Sequence, residues 1–431
     1  MSLTAKSGYK QSEIGEIPEV WDCLTVQQLI DKGAISGHLD GNHGELYPRS
    51  HEFKNFGVPY IGANNFYSGQ VDLQGCKFLS EERAVLFKKG VAKDGDVLFA
   101  HNATVGPVAK LKTSLKYVIL STTATYFRVN GTLLNNDYLM HYMRSELFSN
   151  QYSAIMSQST RNQVPITAQR KLFVVVPPIE EQSKIASSLS VVDALINNLD
   201  QLIAKKRNIQ QAAMQQLLTG QQRLPGFSGA WDMKRLGEIG EISGAGVDKK
   251  IRAGESEVRL LNYTDVYKKD FLLSSDFSHV VTAKSEQITR CSVKKGDVFF
   301  TPSSEVRGDI ANAAVSYENM PDVTYSYHVV RLRPLAKLDI NFLRFAFKSK
   351  EFKDQASTAC EGSGTRYVIT LPKFRAMTIR LPLGVDEQEA IGAVLSDMSA
   401  DIDALEARRD KARLLKQGMM QELLTGRIRL V

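Results

Sequence analysis

Residues 214–220 read "MQQLLTG" and residues 420–426 read "MQELLTG". A terminal glycine alone is unremarkable, because glycine takes the left-handed backbone conformation that ends many helices without a Cβ clash. It does not explain why the residues before it recur 206 positions later. Sliding the sequence against itself by 206 extends the match without a gap: nineteen of forty-five aligned positions between Glu180 and Leu224 are identical. They include Glu181/Glu387, Gln182/Gln388, Ile185/Ile391, Leu189/Leu395, Ile196/Ile402, Leu199/Leu405, Lys205/Lys411 and Arg207/Arg413. Upstream the offset drifts by a few residues, yet "STRNQVPIT" answers "GTRYVIT", "KDGDVLF" answers "KKGDVFF" and "VWDCL" answers "AWDMK". The chain is read as an internal duplication, each half a variable region followed by a well-matched helical tail.

In the tails, Ile185, Leu189, Val192, Ile196, Leu199 and Ile203 alternate steps of four and three, which lines one helix face, and Ile391, Leu395, Met398, Ile402 and Leu405 repeat it. Prolines stand ahead of each tail and glycines end it. About 40 helical residues span about 60 Å. Such a stripe can pack on its own domain, but two long helices made from one duplicated sequence favour each other as partners. The variable regions carry β-branched and aromatic runs ("KYVILSTTATYFRV", "TYSYHVVRLRP") broken by Gly and Pro, with short helices expected at "NNDYLMHYMRSELFSNQYSAIM" and "DINFLRFAFKSKEFKDQAS". The predicted fold is α+β: two mixed α/β domains (1–178 and 223–382), each leading into one long helix (179–222 and 383–431). The two helices form an antiparallel coiled-coil spacer with pseudo-twofold symmetry.

Composition is that of a soluble globular protein, 43% hydrophobic and 23% charged. No apolar run approaches the ~18 residues of a membrane span, and the first residues lack a signal-peptide core. The four cysteines are far apart, without CxxC spacing, so a zinc site is not expected and a reducing cytoplasm fits. A net charge of +7 permits an anionic partner such as nucleic acid. No GxxxxGK[ST] loop is present, no HExxH and no nucleophile elbow. "VPPI" offers Val where a base-modifying methyltransferase needs a hydrogen-bonding Asn or Asp. No catalytic residue and no metal site is therefore assigned, and no cofactor is expected to be held by this chain.

Binding remains. The candidate DNA contacts lie in polar loops between strands: Asn42, His43, Lys54, Asn64, Asn65, His101, Asn102, Arg161 and Asn162 in the first half. Lys249, Lys250, Arg252, Asn262, Tyr263, Arg307, Arg366 and Tyr367 are the candidates in the second, where "DGNHG" has no counterpart. Asn can bond adenine's major-groove edge, Arg and Lys guanine's, and both cations neutralise phosphates; the same residues are also ordinary solvated surface. Arg161 and Arg366 occupy equivalent places ahead of the strand that feeds each helix, which suggests a shared role in anchoring phosphate. Eight residues of the tails (Glu181, Gln182, Leu217, Leu218, Glu387, Gln388, Leu423 and Leu424) are candidates for docking a partner on two equivalent faces. The acidic ones can instead serve the helix dipole.

The order "GEIPEVWDCLTVQQL", a β-rich region, "VPPIEEQSKIASSLSVVDALI", "LLTG", "LPGFSGAWDMKRLGEI", and the whole cycle again, resembles the specificity (S) subunit of a type I DNA restriction–modification system. The resemblance covers essentially the full chain. It implies two target recognition domains that each read half of an asymmetric, bipartite duplex target. It implies, too, a helical spacer that docks two modification subunits, which methylate adenine with S-adenosylmethionine, and restriction subunits that use ATP and Mg. No membrane partner is implied. A non-catalytic DNA-binding scaffold or regulator with a coiled-coil stem is the alternative; it would read a palindrome as a homodimer.

Overall fold

The computed structural model describes residues 7–158, 161–363 and 365–431. Ser159, Thr160 and Gly364, part of the duplicated landmark ahead of each tail, lie outside the described residues. The chain forms two compact units, residues 1–201 with 407–431 and residues 202–406. This division departs from domain boundaries drawn in sequence order, because each unit takes the first part of one long helix and the last part of the other.

In the first unit, a four-stranded antiparallel sheet runs in the order Val108–Lys110, Val97–Ala100, Ala124–Val129, Ile35–Asp40. A second runs Lys77–Leu79, Val58–Ile61, Val118–Leu120, Val91–Ala92, its middle pair parallel. The second unit repeats the plan. Gly240–Ser243, Val330–Pro334, Val298–Phe300, Ala313–Ser316 and Phe271–Leu272 form one sheet. Val280–Ala283, Ser256–Leu261, Met320–Tyr325 and Ser292–Val293 form the other, again with a parallel middle pair. Strands such as "VLFA" and "VFF" are buried along their whole length, so they read as continuous apolar runs and not as alternation. The helix pairs Asn136–Met143 and Glu146–Met156, then Ile340–Ala346 and Lys350–Ala359, stand where the sequence placed them.

The tails are helices of 39 residues, Ile179–Leu217 and Val385–Leu423. Within the first unit Asp193 pairs with Lys416 at 2.7 Å, and Asp200 with Arg413 at 3.2 Å and Arg409 at 3.6 Å. Within the second, Lys206 meets Asp401 at 2.9 Å and Gln210 donates to Ser399 Oγ at 2.7 Å. In both, the partner's number falls as the first helix's rises. Val192 and Ile196 pack with Ala412 beneath these pairs.

The repeated heptapeptide now has a physical reason. Gly220 and Gly426 have φ of +70° and +72°. A Cβ on Gly426 would run into Pro18 and approach Trp21, and one on Gly220 would press on Trp231 at 3.3 Å. Each tail must end in glycine because a tryptophan from the start of the same unit's globular part seats against it.

Beside each seat is a partly buried clasp. The Trp21 indole donates to Glu181 at 2.9 Å, and Arg429 makes two hydrogen bonds of 2.7 Å to the same carboxylate. In the second unit Trp231 donates to Glu387 at 3.3 Å, and Arg223 makes two bonds of 2.5 and 2.6 Å. Gln182 accepts from the Asn135 amide and donates to Leu133 and Pro177, while Gln388 accepts from Asp339 and donates to Pro382. The docking expectation for Glu181, Gln182, Glu387 and Gln388 therefore gives way to an internal role. All four are at most 5% exposed and their hydrogen-bonding groups are consumed within their own units. Leu217, Leu218, Leu423 and Leu424 are corrected likewise: they are core residues. Among the described residues no helix is long and apolar enough to cross a membrane.

Candidate nucleic-acid interface

In each unit four loops meet at one end of the two sheets. In the first, the turn after Val58–Ile61 and the loop before Ala124–Val129 are tied by Ser121 N donating to Ile61 O at 2.7 Å and Ala63 N to Thr123 Oγ1 at 2.9 Å. The hairpin after Val97–Ala100 joins through His101 N to Thr123 O at 3.0 Å. The segment from Arg161 closes the group through Val164 N to His101 O at 2.8 Å and the Asn162 amide to Ala103 O at 2.7 Å. In the second unit the same four places are joined by Ser326 N to Leu261 O at 2.9 Å, Tyr263 OH to Ser303 O at 2.7 Å and Ile369 N to Pro302 O at 2.9 Å. Five of these ties are backbone to backbone and hold whatever the side chains, so the remaining side chains above the platform are free to differ.

They do differ. The first unit presents exposed Asn64, Arg161 and Asn162 with half-buried Asn102. The second presents a cleft of about 520 Å³ lined by Tyr263, Tyr267, Ser303, Glu305, His328 and Arg366 among others. Tyr263 and Tyr267 stack at 6.1 Å, and the Arg307 guanidinium covers the Tyr367 ring at 5.1 Å. Partial burial lowers the His328 imidazole below its ordinary value, and the nearby charges of Lys249 and Arg366 add to this. Lys249 reaches this neighbourhood because Val247 bridges Ser326. The structure thus gathers Lys249, Tyr263, Arg307, Arg366 and Tyr367.

Other candidates are placed differently. Lys250 and Arg252 are exposed on the neighbouring loop, where Arg252 pairs with Asp248 at 3.2 Å. The half-buried Asn262 amide is engaged by Leu260 O and His279, both at 3.1 Å. Asn42 is exposed, its side chain accepting from Gly44 N. Lys54 is exposed beside the edge strand Lys77–Leu79, bonded through its backbone to Phe78. His43 bonds Leu120 O at 2.7 Å and packs edge-on against Phe87, and its burial lowers its pKa.

Two candidates are corrected. Asn65 is 4% exposed and its carbonyl accepts from Gly62 N at 3.0 Å, closing the turn that Asp265 closes on Asn262 in the second unit. His101 is 1% exposed and its ring is desolvated. Neither can reach a ligand. Sequence reading missed Tyr267, Glu305 and His328; strand register places Glu305 beside Arg366, and register is not written in local sequence. Among the described residues no group of three His, Cys, Asp or Glu side chains is arranged to hold a metal.

Comparison with known proteins agrees with this layout. The profile of the type I restriction modification DNA specificity domain matches residues 37–206 and again 229–415. A putative type I restriction enzyme MjaX specificity subunit from Methanocaldococcus jannaschii is 23% identical, over 98% of this chain and 97% of its own length. The MjaVIII specificity subunit of the same organism is 25% identical over 50% of this chain and 49% of its own. Among solved structures, the S subunit of a type I system from M. genitalium shares the fold with a TM-score of 0.57 at 13% identity, covering 98% of each chain. A chain from a structural study of complex assembly and conformational transition in the type I R-M system gives 0.59 at 18% identity, covering 96% of this chain and 99% of that one.

Proposed function

The chain belongs to the type I restriction–modification DNA specificity family, and from that premise we propose how its two units divide the reading of one DNA target. As a specificity subunit it recognises DNA and leaves catalysis to the other subunits of the system. Each four-loop platform reads one half of a bipartite site. The observation that carries this reading is the pairing of one strand plan and one set of loop ties with two unlike sets of side chains. Unlike readers imply unlike half-sites, hence an asymmetric target and no need for a second copy of the chain.

In this reading the two long helices form an antiparallel coiled-coil spacer, and the units are related by a pseudo-twofold axis. The falling partner numbers within each unit and the identical helix lengths support it. Lys54, Arg161, Lys249, Lys250, Arg252 and Arg307 are exposed cations suited to phosphates, and Asn42, Asn64, Asn102, Asn162 and Tyr367 to base edges or sugars. Two modification subunits, supplied with S-adenosylmethionine, dock on the helical spacer. Restriction subunits, supplied with ATP and Mg, join that core in the cytoplasm. Their footing is the exposed faces of the helices, since the helix-opening Glu–Gln pairs are internal.

A test follows from the spacing. Removing one heptad from each long helix, at facing positions, shortens the spacer by about 10 Å, or about three base pairs at 3.4 Å each. Mapping of methylated adenines should report a gap shortened by about that much between unchanged half-sites. A gap that stays fixed, or a half-site that changes, would remove the ruler from the account.

A further inference from the structure

We infer that the cleft of the second unit reads a G·C base pair in the major groove, with Arg366 on the guanine and Glu305 on the cytosine; this rests on the DNA-reading function proposed above. The strand Arg366–Val368 pairs antiparallel with Ser303–Ser304, Ser303 opposite Val368 and Ser304 opposite Tyr367. Continued by one residue, that register brings Glu305 beside Arg366, and both side chains line the cleft.

Opposite charges at neighbouring cross-strand positions ordinarily pair. Among the described residues these two form no ion pair with each other or with any other group. Arg252, Arg259, Arg333 and Arg344 of the same unit, by contrast, each hold a carboxylate. Arg366 makes one long hydrogen bond, 3.4 Å to Ser303 Oγ, so most of its donors remain uncommitted. The other carboxylate of the cleft, Asp309, is engaged by Tyr267 OH at 2.6 Å and the Asn312 amide at 3.0 Å. That leaves one planar donor fork and one acceptor side by side. A G·C pair presents the complement on its major-groove edge: O6 and N7 of guanine accept, and N4 of cytosine donates. A phosphate would satisfy Arg366 but would be repelled by Glu305.

The bracing fits this role. Tyr263 holds the Ser303 carbonyl at 2.7 Å and stacks on Tyr267, which fixes the short strand that ends just before Glu305. Arg307 over Tyr367 steadies the strand that carries Arg366.

The test is selection of duplexes from a library randomised across both half-sites, bound by the full chain and its Arg366→Lys, Arg366→Ala and Glu305→Gln variants. Lysine keeps the charge but loses the two-pronged fork. The expected result for Arg366→Ala is a fall of about 5- to 150-fold in guanine preference at one position of one half-site, with a smaller fall for Arg366→Lys. The other half-site and the salt dependence should be unaltered, and Glu305→Gln should relax the same position. Retention of full guanine preference in Arg366→Ala overturns the inference. So does Arg366→Ala weakening all sequences alike, with the salt slope reduced by about one, which marks a phosphate contact. If the unaltered chain enriches no sequence, the DNA-reading function falls, and this inference with it.

Discussion

Replacing Glu181 with Ala is expected to destabilise the first unit by about 2–4 kcal/mol, because it strands an indole and a guanidinium together. Trp21 is fully buried and its N–H points at Glu181, while Arg429 holds both carboxylate oxygens and stands 5.4 Å over the same indole. Removing one partner of a buried ion pair costs about 3–5 kcal/mol; Arg429 is about a quarter exposed, so water recovers part of that. Burial pushes the Glu181 carboxyl upward, but its bonds to Arg429 and Trp21 prevail and hold it below the ordinary carboxylate value, so it is ionised at neutral pH. Glu181→Gln keeps an acceptor for the indole and should cost less than half as much. In a unit of this size about 3 kcal/mol corresponds to a midpoint roughly 6–12 °C lower. Glu387→Ala is expected to act likewise on the second unit through Arg223. Thermal or urea unfolding with one tryptophan as reporter for each unit makes the comparison. A Glu181→Ala chain as stable as the parent would mean that the clasp is ornamental.

Mild acid is expected to weaken the first unit well before its carboxylates protonate. His38 and His141 are 4% and 0% exposed, and both are lowered to about 4. For His38 the cause is burial; for His141 it is burial first, then the nearby charge of Lys416. A histidine whose folded pKa lies below its unfolded value binds its proton more readily when unfolded. Its contribution is therefore complete above about 6.5 and is lost as pH falls from there toward 4. Each shift corresponds to roughly 3 kcal/mol at the bottom of that window. His141 is neutral at pH 7, so its 3.8 Å approach to Asp193 is not then an ion pair; Arg144 and Lys416 hold that carboxylate. Unfolding of the first unit, followed at pH 7, 5.5 and 4.5, should give a steep loss that His141→Gln makes shallower. An unchanged midpoint between pH 7 and 5 would contradict the assignment of these rings as buried and neutral.

The two tails were legible because their information is local and doubled: a stripe of 3.5-residue period, prolines before it, a left-handed glycine after it. The repeat also made the two strand plans comparable before either was seen. What the sequence hid was the use of polar residues by the fold. Asn65 and His101 sit in loops that look like surface, yet one closes a turn and the other lies under a hairpin. A turn-closing pattern, Gly62 to Asn65 and Asn262 to Asp265, was available as a signal. The Glu–Gln pair opening each tail looked like a surface mark because its partners, Trp21 and Arg429 in one case, are 160 and 248 residues away. Glu305 escaped for the same reason: strand register, not spacing along the chain, sets its position at the cleft.

In the proposed function one chain carries two unlike readers for one split target. Its most direct test is modified-base sequencing of a genome that carries this gene with its modification partners, with and without the gene. Deletion is expected to remove one methylated motif, with two dissimilar half-sites separated by a gap of fixed length and free sequence. Loss of a palindromic motif, or of none while the partners remain active, would contradict it.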